Sequence, residues 1–373
     1  MSIRASSAGA AVRPLGLRGH EPASRIGARG PFGPPESAPQ PSRPPETGSG
    51  AAAPLRGRRT LLVSLLAAPS IARAQNFPDR PIRFVVPYTA GGGTDITARK
   101  VAEAVAPLLG QPVIVENRSG ANTAVGAEYV AKSRPDGYTL YFAGGSSVVV
   151  PPLVWKGRLN YGPADFAPVS LVLKQPYGLG CGPWAARDLA DLLAQMRAAP
   201  GSFSFGHTGT GGIGHLLGER LMAATATRMV SVPYRGFQQT VVDIMGRRLQ
   251  LTFESVNNIL PFHRDGSVKV LGITSDTRVP QLPEVGTFAE QGLPSMSVMS
   301  WLAVLAPAAT PAPIVARLNQ AVARAVDSEG FRSYAATQIQ FAESSTPEGL
   351  ASYMARDIEE WQRVIDPLNL QVD

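Results

Sequence analysis

The sequence predicts an α/β protein of two lobes, each a mostly parallel sheet flanked by helices, and three observations carry that expectation. With 373 residues, 44% of them hydrophobic, the chain can bury a sizeable core and divide into two lobes. Short apolar runs that favour extended structure alternate with stretches at helical spacing, the order that builds a parallel sheet covered by helices. One unit, a buried strand that breaks into glycines and then starts a helix, occurs twice, around residues 84–95 and again around residues 202–215.

In the first unit Ile82, Phe84, Val85 and Val86 favour a buried strand, and Pro87 closes it because proline cannot donate into a ladder. Ala98, Val101, Ala102, Val105, Leu108 and Leu109 form a helical stripe, so Gly91, Gly92 and Gly93 lie between a strand end and a helix start. Thr94 or Asp95 is the candidate N-cap there. Gly110 stops that helix, residues 111–116 read as a second strand, and a polar turn over 117–122 leads to a helix through Ala127, Val130 and Ala131. Arg134, Pro135, Asp136 and Gly137 form a turn before a third strand over 138–142, which ends in Ala143, Gly144, Gly145, Ser146 and Ser147.

Residues 148–161 read as irregular, 167–173 as a strand, and the Gly- and Pro-rich stretch 175–183 as a crossing into the second lobe. There a helix over 188–196 precedes a short strand at 202–205, and the glycine loop 207–215 opens a helix over 216–224. Strands follow at 230–232, 249–253 and 269–274, with a helix over 240–245. Residues 301–307 read as a strand that returns the chain to the first lobe. A helix started by Pro311 and Pro313 follows, then a last one with Leu350, Met354, Ile358, Trp361 and Ile365 at core spacing. The expected lobes are 75–177 with 299–373, and 178–298.

The formal charge of +7 suggests a polyanion partner until it is located. Ten arginines and only three acids precede Gln75, so the excess belongs to a leader and the remainder is neutral; no nucleic-acid partner is implied. Residues 1–54, rich in Pro, Gly, Ala, Ser and Arg without apolar periodicity, are expected to be disordered. Residues 55–74 read as a secretory signal peptide: Arg56, Arg58 and Arg59, an apolar run over 61–68, and the small-x-small site Ala72-Arg73-Ala74 with cleavage after Ala74. Its Arg58-Arg59 pair loosely resembles a twin-arginine signal. The mature protein is therefore expected to be soluble and exported. The sole cysteine, Cys181, cannot form an internal disulfide and reads as a packing residue.

A helix start carries unpaired N–H groups and the positive end of the dipole, so a glycine loop there brings bare backbone donors up to an anion. Two such loops in separate lobes imply a cleft with helix N-termini on both walls. Polar residues around it are neutral: Tyr88, Thr89, Thr94, Ser146, Ser147, Thr208, Thr210, Tyr234, Ser255 and Asn257. Hydroxyls, amides and peptide N–H groups can orient a carboxylate without a cation, which is the inventory of a binder. The rival is a dinucleotide-dependent oxidoreductase, since Gly209 to Gly214 matches G-x-G-x-x-G. The strand that follows, however, ends in Pro233-Tyr234-Arg235 with no acid for a ribose. Neither serine lies in a G-x-S-x-G elbow, and His207 and His215 lack further ligands for a metal, so no catalytic residue, cofactor or metal is expected.

From Phe77 onward the chain resembles the periplasmic substrate-binding proteins of tripartite tricarboxylate transporters, the Bug family. The matching stretches include Phe77-Pro78-Asp79-Arg80-Pro81, Val85-Val86-Pro87 with Gly91-Gly92-Gly93-Thr94-Asp95, and Val115-Glu116-Asn117-Arg118. Pro135-Asp136-Gly137-Tyr138, Val232-Pro233-Tyr234-Arg235-Gly236 and Leu305-Ala306-Pro307 match as well. The resemblance implies a type II periplasmic-binding (Venus-flytrap) fold in the periplasm that closes on a small carboxylate and delivers it to membrane permease subunits; a further reading keeps the fold but makes it a ligand sensor for a membrane receptor, and the protein is expected to be a monomer. It also implies a pocket lined by Tyr88, Thr89, Ala90, Gly91, Gly92, Gly93, Thr94 and Asp95, by Ser146 and Ser147, by Thr208, Gly209, Thr210 and Gly211, and by Glu254 and Ser255. Two places depart from the family: Glu254-Ser255 stands where an Asp-Asn pair is usual, and the second loop lacks the usual Ser and Asn.

Overall fold

The computed structural model describes residues 77–368, all within one compact unit. The leader and signal-peptide expectations fall on residues 1–74, outside the described residues.

The chain opens with β1 (Ile82–Val86), α1 (Gly93–Leu109), β2 (Val113–Asn117), α2 (Ala124–Ala131) and β3 (Thr139–Ala143). β1 lies between β2 and β3 and is parallel to both, with Phe84 opposite Val115 and Leu140. Its residues Ile82, Phe84 and Val86 bury against Ala98, Val101, Ala102 and Val105 of α1. Each fully buried valine or phenylalanine contributes roughly 1.5–3 kcal/mol, enough to fix the strand's face. Gly110 ends α1 in the left-handed region at φ 71°, its N–H donating to the Ala106 carbonyl.

Two short helices, α3 (Gly145–Val148) and α4 (Val150–Val154), lead to β4 (Phe166–Gln175) and at once to β5 (Tyr177–Cys181). Then come α5 (Leu189–Ala198), β6 (Phe203–His207), α6 (Ile213–Thr225), β7 (Met229–Pro233), α7 (Phe237–Met245), β8 (Leu251–Ser255), α8 (Val256–Arg264) and β9 (Lys269–Ile273). The return consists of β10 (Ser300–Pro307), α9 (Ala312–Val326), α10 (Glu329–Thr337), the two-residue β11 (Phe341–Ala342) and α11 (Pro347–Ile365). One sheet has the order β11-β4-β10-β3-β1-β2, the other β7-β6-β8-β5-β9.

Apart from the short edge strand β11, each sheet has one reversed strand, β10 in the first and β5 in the second. These are the strands by which the chain enters from the other lobe. Because β4 runs out at Gln175 and β5 begins at Tyr177, the carboxyl ends of the parallel strands in both sheets face the crossings. Ligands in open α/β sheets sit at such ends.

Several stretches differ from the sequence reading. The crossing expected over 175–183 contains strand β5. Its alternate glycines face helix α8, where a Cβ on Gly180 would lie 2.4 Å from Ile259 Cδ1. Part of the stretch read as irregular is helical and buried in α3 and α4. The N-cap of α1 is Gly92, so Thr94 and Asp95 lie inside the first turn rather than capping it. Cys181 is buried in the core, and burial pushes its thiol up to about 12, as suits a packing residue.

Candidate functional site

The two glycine loops are built to one pattern. Gly92 and Gly212 are the N-caps of α1 and α6 with nearly identical backbones, φ/ψ −76°/165° and −76°/164°, and neither can offer a capping side chain. The residues before them, Gly91 and Gly211, sit at φ +82° and +77°, a region glycine enters without cost. The first-turn N–H groups of both helices thus remain without an intrahelical partner and without a side-chain cap.

Each turn is held from inside by the residue four places on. In the first loop Gly91 N–H donates to Asp95 Oδ2 at 2.9 Å; in the second Gly211 N–H donates to His215 Nδ1 at 3.2 Å. Asp95 is buried and also accepts from Arg99 Nε and Nη2, both at 3.0 Å, and from Asn117 Nδ2 at 3.0 Å. Burial opposes charge on Asp95, and the bonds from Arg99, Gly91 and Asn117 outweigh it and hold the carboxyl below its usual range. Four donors occupy its oxygens, so Asp95 shapes the loop. Burial and then the neighbouring His207 push His215 down to about 4, which keeps its imidazole a neutral acceptor. The two rings lie 4.5 Å apart, and His207 Nε2 meets Ser231 Oγ at 2.8 Å.

Hydroxyls of the first lobe gather beside the first loop. Tyr88 Oη is 2.9 Å from Ser146 Oγ and 3.3 Å from Ser147 Oγ, while Tyr161 Oη donates to the Ser147 carbonyl at 3.1 Å. Trp301 supports the turn that carries both serines. A Cβ on Gly144 would lie 1.7 Å from the Trp301 carbonyl oxygen, and Trp301 Nε1 donates to Asp357 Oδ2 at 2.8 Å directly beneath Gly145. Tyr177, at the crossing, is within electrostatic reach of both Glu254 and Tyr88, and burial raises its hydroxyl far above its ordinary value. The second loop touches the first lobe directly, since a Cβ on Gly211 would stand 3.1 Å from Val154 Cγ1 of α4. The second loop therefore lies against α4 of the first lobe.

The remaining expected site residues divide. The hydroxyls of Thr89, Thr94, Thr208 and Thr210 make no hydrogen bond within the described residues, and these residues are half-buried or exposed beside the two helix starts, as is Ala90. Gly93 and Gly209 leave open space where a Cβ would be. Ser255 is buried, its N–H and Oγ both bonded to Glu254 Oε1 at 2.8 and 3.0 Å. Tyr234 is not brought in by its hydroxyl, which donates to Asp243 Oδ2 at 2.8 Å while the ring packs with α7 and α8. Sequence reasoning missed Asn117, Val154, Tyr161 and Tyr177, which only the topology delivers to the loops. A polar hollow of about 170 Å³ is lined by Lys174, Asp276, Val298, Tyr353 and Asp357 among others and by no residue of the two glycine loops. Among the described residues no group of three or more His, Cys, Asp or Glu could hold a metal ion, and no helix is long and apolar enough to cross a membrane.

Two lobes whose parallel strands end toward the crossings, each with a glycine loop and an uncapped helix start at that end, have the architecture of a solute-binding protein of the periplasmic-binding class. The profile described as tripartite tricarboxylate transporter family receptor matches residues 97–370, and the chain belongs to that family. It is similar to protein BugT of Bordetella pertussis, 34% identical over 306 residues that cover 80% of this chain and 92% of that protein. Among solved structures it is similar to MatC from Rhodopseudomonas palustris with bound malate, with 30% identity and a TM-score of 0.67 over 78% of this chain and 100% of that one. It is also similar to a second R. palustris protein with adipate, with 30% identity and a TM-score of 0.69 over 78% of this chain and 97% of that one.

Proposed function

We propose that this receptor captures a small carboxylate between the loops at 88–95 and 208–214, functions as an exported monomer, and delivers its ligand to membrane permease subunits. One observation carries the reading. Two uncapped helix starts of matching geometry, each braced from within by Asp95 or His215, lie at the crossing-side ends of the two sheets, and the second loop lies against the first lobe. Peptide N–H groups so placed hold a carboxylate through oriented hydrogen bonds and two helix dipoles, with no lysine or arginine required. The malate and adipate in the related structures support a carboxylate here. Closure about the crossings at Gln175–Tyr177 and Met299–Ser300 would couple occupancy to docking. No catalytic residue or cofactor enters this reading.

Thermal melting with a panel of mono-, di- and tricarboxylates, amino acids, neutral sugars and nucleotides tests it. A carboxylate at 100 times its Kd should stabilise the protein by about 2.7 kcal/mol. A panel in which only nucleotides or sugars shift the melt would sink the proposal. Export is tested by N-terminal sequencing of secreted material, which should begin at Gln75.

A further inference from the structure

Glu254 stands near the carboxyl end of β8, on the crossing side of the second sheet. β8 is parallel to β6 and antiparallel to β5, with Gly178 opposite Glu254 and Tyr177 opposite Ser255. The residue before it, Phe253, carries the first turn of α6: a Cβ on Gly214 would lie 2.6 Å from the Phe253 carbonyl oxygen. Glu254 is thus set between the start of α6 and Tyr177.

Its bonding is lopsided. Oε1 accepts from Ser255 N–H at 2.8 Å, Ser255 Oγ at 3.0 Å and Asn258 Nδ2 at 3.3 Å. Those donors fix the carboxyl group and leave Oε2 with no hydrogen bond from the described residues. Among those residues no lysine, arginine or histidine pairs with Glu254, although fifteen other acids in the molecule have such a partner. The group is half-buried, and burial raises its carboxyl above the usual range. A half-buried carboxylate with an open oxygen and no counter-ion is a ready acceptor for a cationic donor.

We infer that Glu254 is a specificity-determining residue whose open oxygen accepts a hydrogen bond from an ammonium group on the ligand, so that the preferred ligands are amino-carboxylates. This rests on the proposed carboxylate capture and narrows it. The ligand's carboxylate goes to the two glycine loops, and its positive end meets Glu254. A second carboxylate placed there would face a like charge.

Matched pairs that differ only by the amino group provide the test: propionate with alanine, succinate with aspartate, glutarate with glutamate, and hydrocinnamate with phenylalanine, titrated calorimetrically into the mature protein. A charge-assisted hydrogen bond should favour the aminated member of whichever pair binds by on the order of tenfold or more. Glu254→Gln keeps the size of the side chain and should shrink that preference to within about twofold while leaving the non-aminated acid bound. The wild-type comparison stands without the variant, so poor folding of Glu254→Gln cannot shelter the inference. Tighter binding of the non-aminated members, or an amine preference that survives in Glu254→Gln, overturns it while carboxylate capture stands. If no acid in any pair binds and only uncharged compounds do, both readings fall.

Discussion

Asp95 and His215 occupy the same place in two loops of one design, and their chemistry makes only one of them sensitive to mild acid. His215 accepts the Gly211 N–H through Nδ1 and is held down to about 4 by burial and His207, against an ordinary value of 6.5. Between those values the unfolded chain binds a proton that the folded one does not. Stability is therefore full above pH 6.5 and is lost as the pH falls toward 4, with a limiting slope of about 1.4 kcal/mol per pH unit. Asp357 works the other way. Burial raises its carboxyl to about 6, so below that pH the native state holds a proton that the unfolded state lacks, which offsets part of the loss. The wild-type profile alone is thus a difference of terms, and a variant isolates the histidine. His215→Gln offers an amide oxygen to Gly211 and does not titrate. Urea unfolding at pH 7, 5.5 and 4.5 should show the variant gaining on the wild type as the pH drops; a gap that does not change with pH would refute the role given to His215.

At the level of elements, the same residue type does opposite work at different positions, and a pair of alanine substitutions shows it. Gly144 lies against the backbone of Trp301, where a Cβ would come within 1.7 Å of a carbonyl oxygen that cannot swing away. Gly93, the first residue of α1, has nothing within 4 Å of that position. Gly144→Ala should displace α3, cost about 2 kcal/mol or more, and abolish binding of the carboxylate that the wild type prefers, because Ser146 and Ser147 ride on that turn. Gly93→Ala should change stability by no more than about 0.5 kcal/mol. Equal urea midpoints for the two variants would contradict this account of the turn. Strand–glycine–helix units, with their abrupt change from buried run to helical stripe, were legible in the sequence, as was the last helix. β5 was not, because Gly178 and Gly180 read as a loop until the neighbours that exclude side chains there are known. Nor was α8, which holds Pro261 and two asparagines, Asn257 and Asn258, residues that form helices poorly. Asn117 and Tyr177 could not be assigned to the site either. Each sits at a strand end, and only sheet order brings the first to Asp95 and the second between Tyr88 and Glu254.

For the whole molecule the decisive contact is the one that crosses the lobes. α4 belongs to the first lobe and the Gly211 turn to the second, yet a Cβ on Gly211 would lie only 3.7 Å from the Val154 Cβ. That separation suits a disulfide, whose Cβ atoms are about 3.8 Å apart. The left-handed backbone at Gly211 would cost a cysteine there roughly 1–2 kcal/mol, less than the bond can offset. The native Cys181 is buried and weakly ionised, so it should not compete for the new thiols. In the doubly substituted protein, Val154→Cys with Gly211→Cys, oxidation after the preferred carboxylate has bound should trap it, and its dissociation should slow by on the order of a hundredfold. Oxidation before the carboxylate is added should block its entry, and reduction should restore both rates. This follows because a hollow shared by two lobes can fill or empty only when they part, so clamping the loop to α4 removes the route. Equal release rates from the oxidised and reduced forms, with the disulfide confirmed by mass, would mean that the ligand enters by another path and that the lobes do not gate the site.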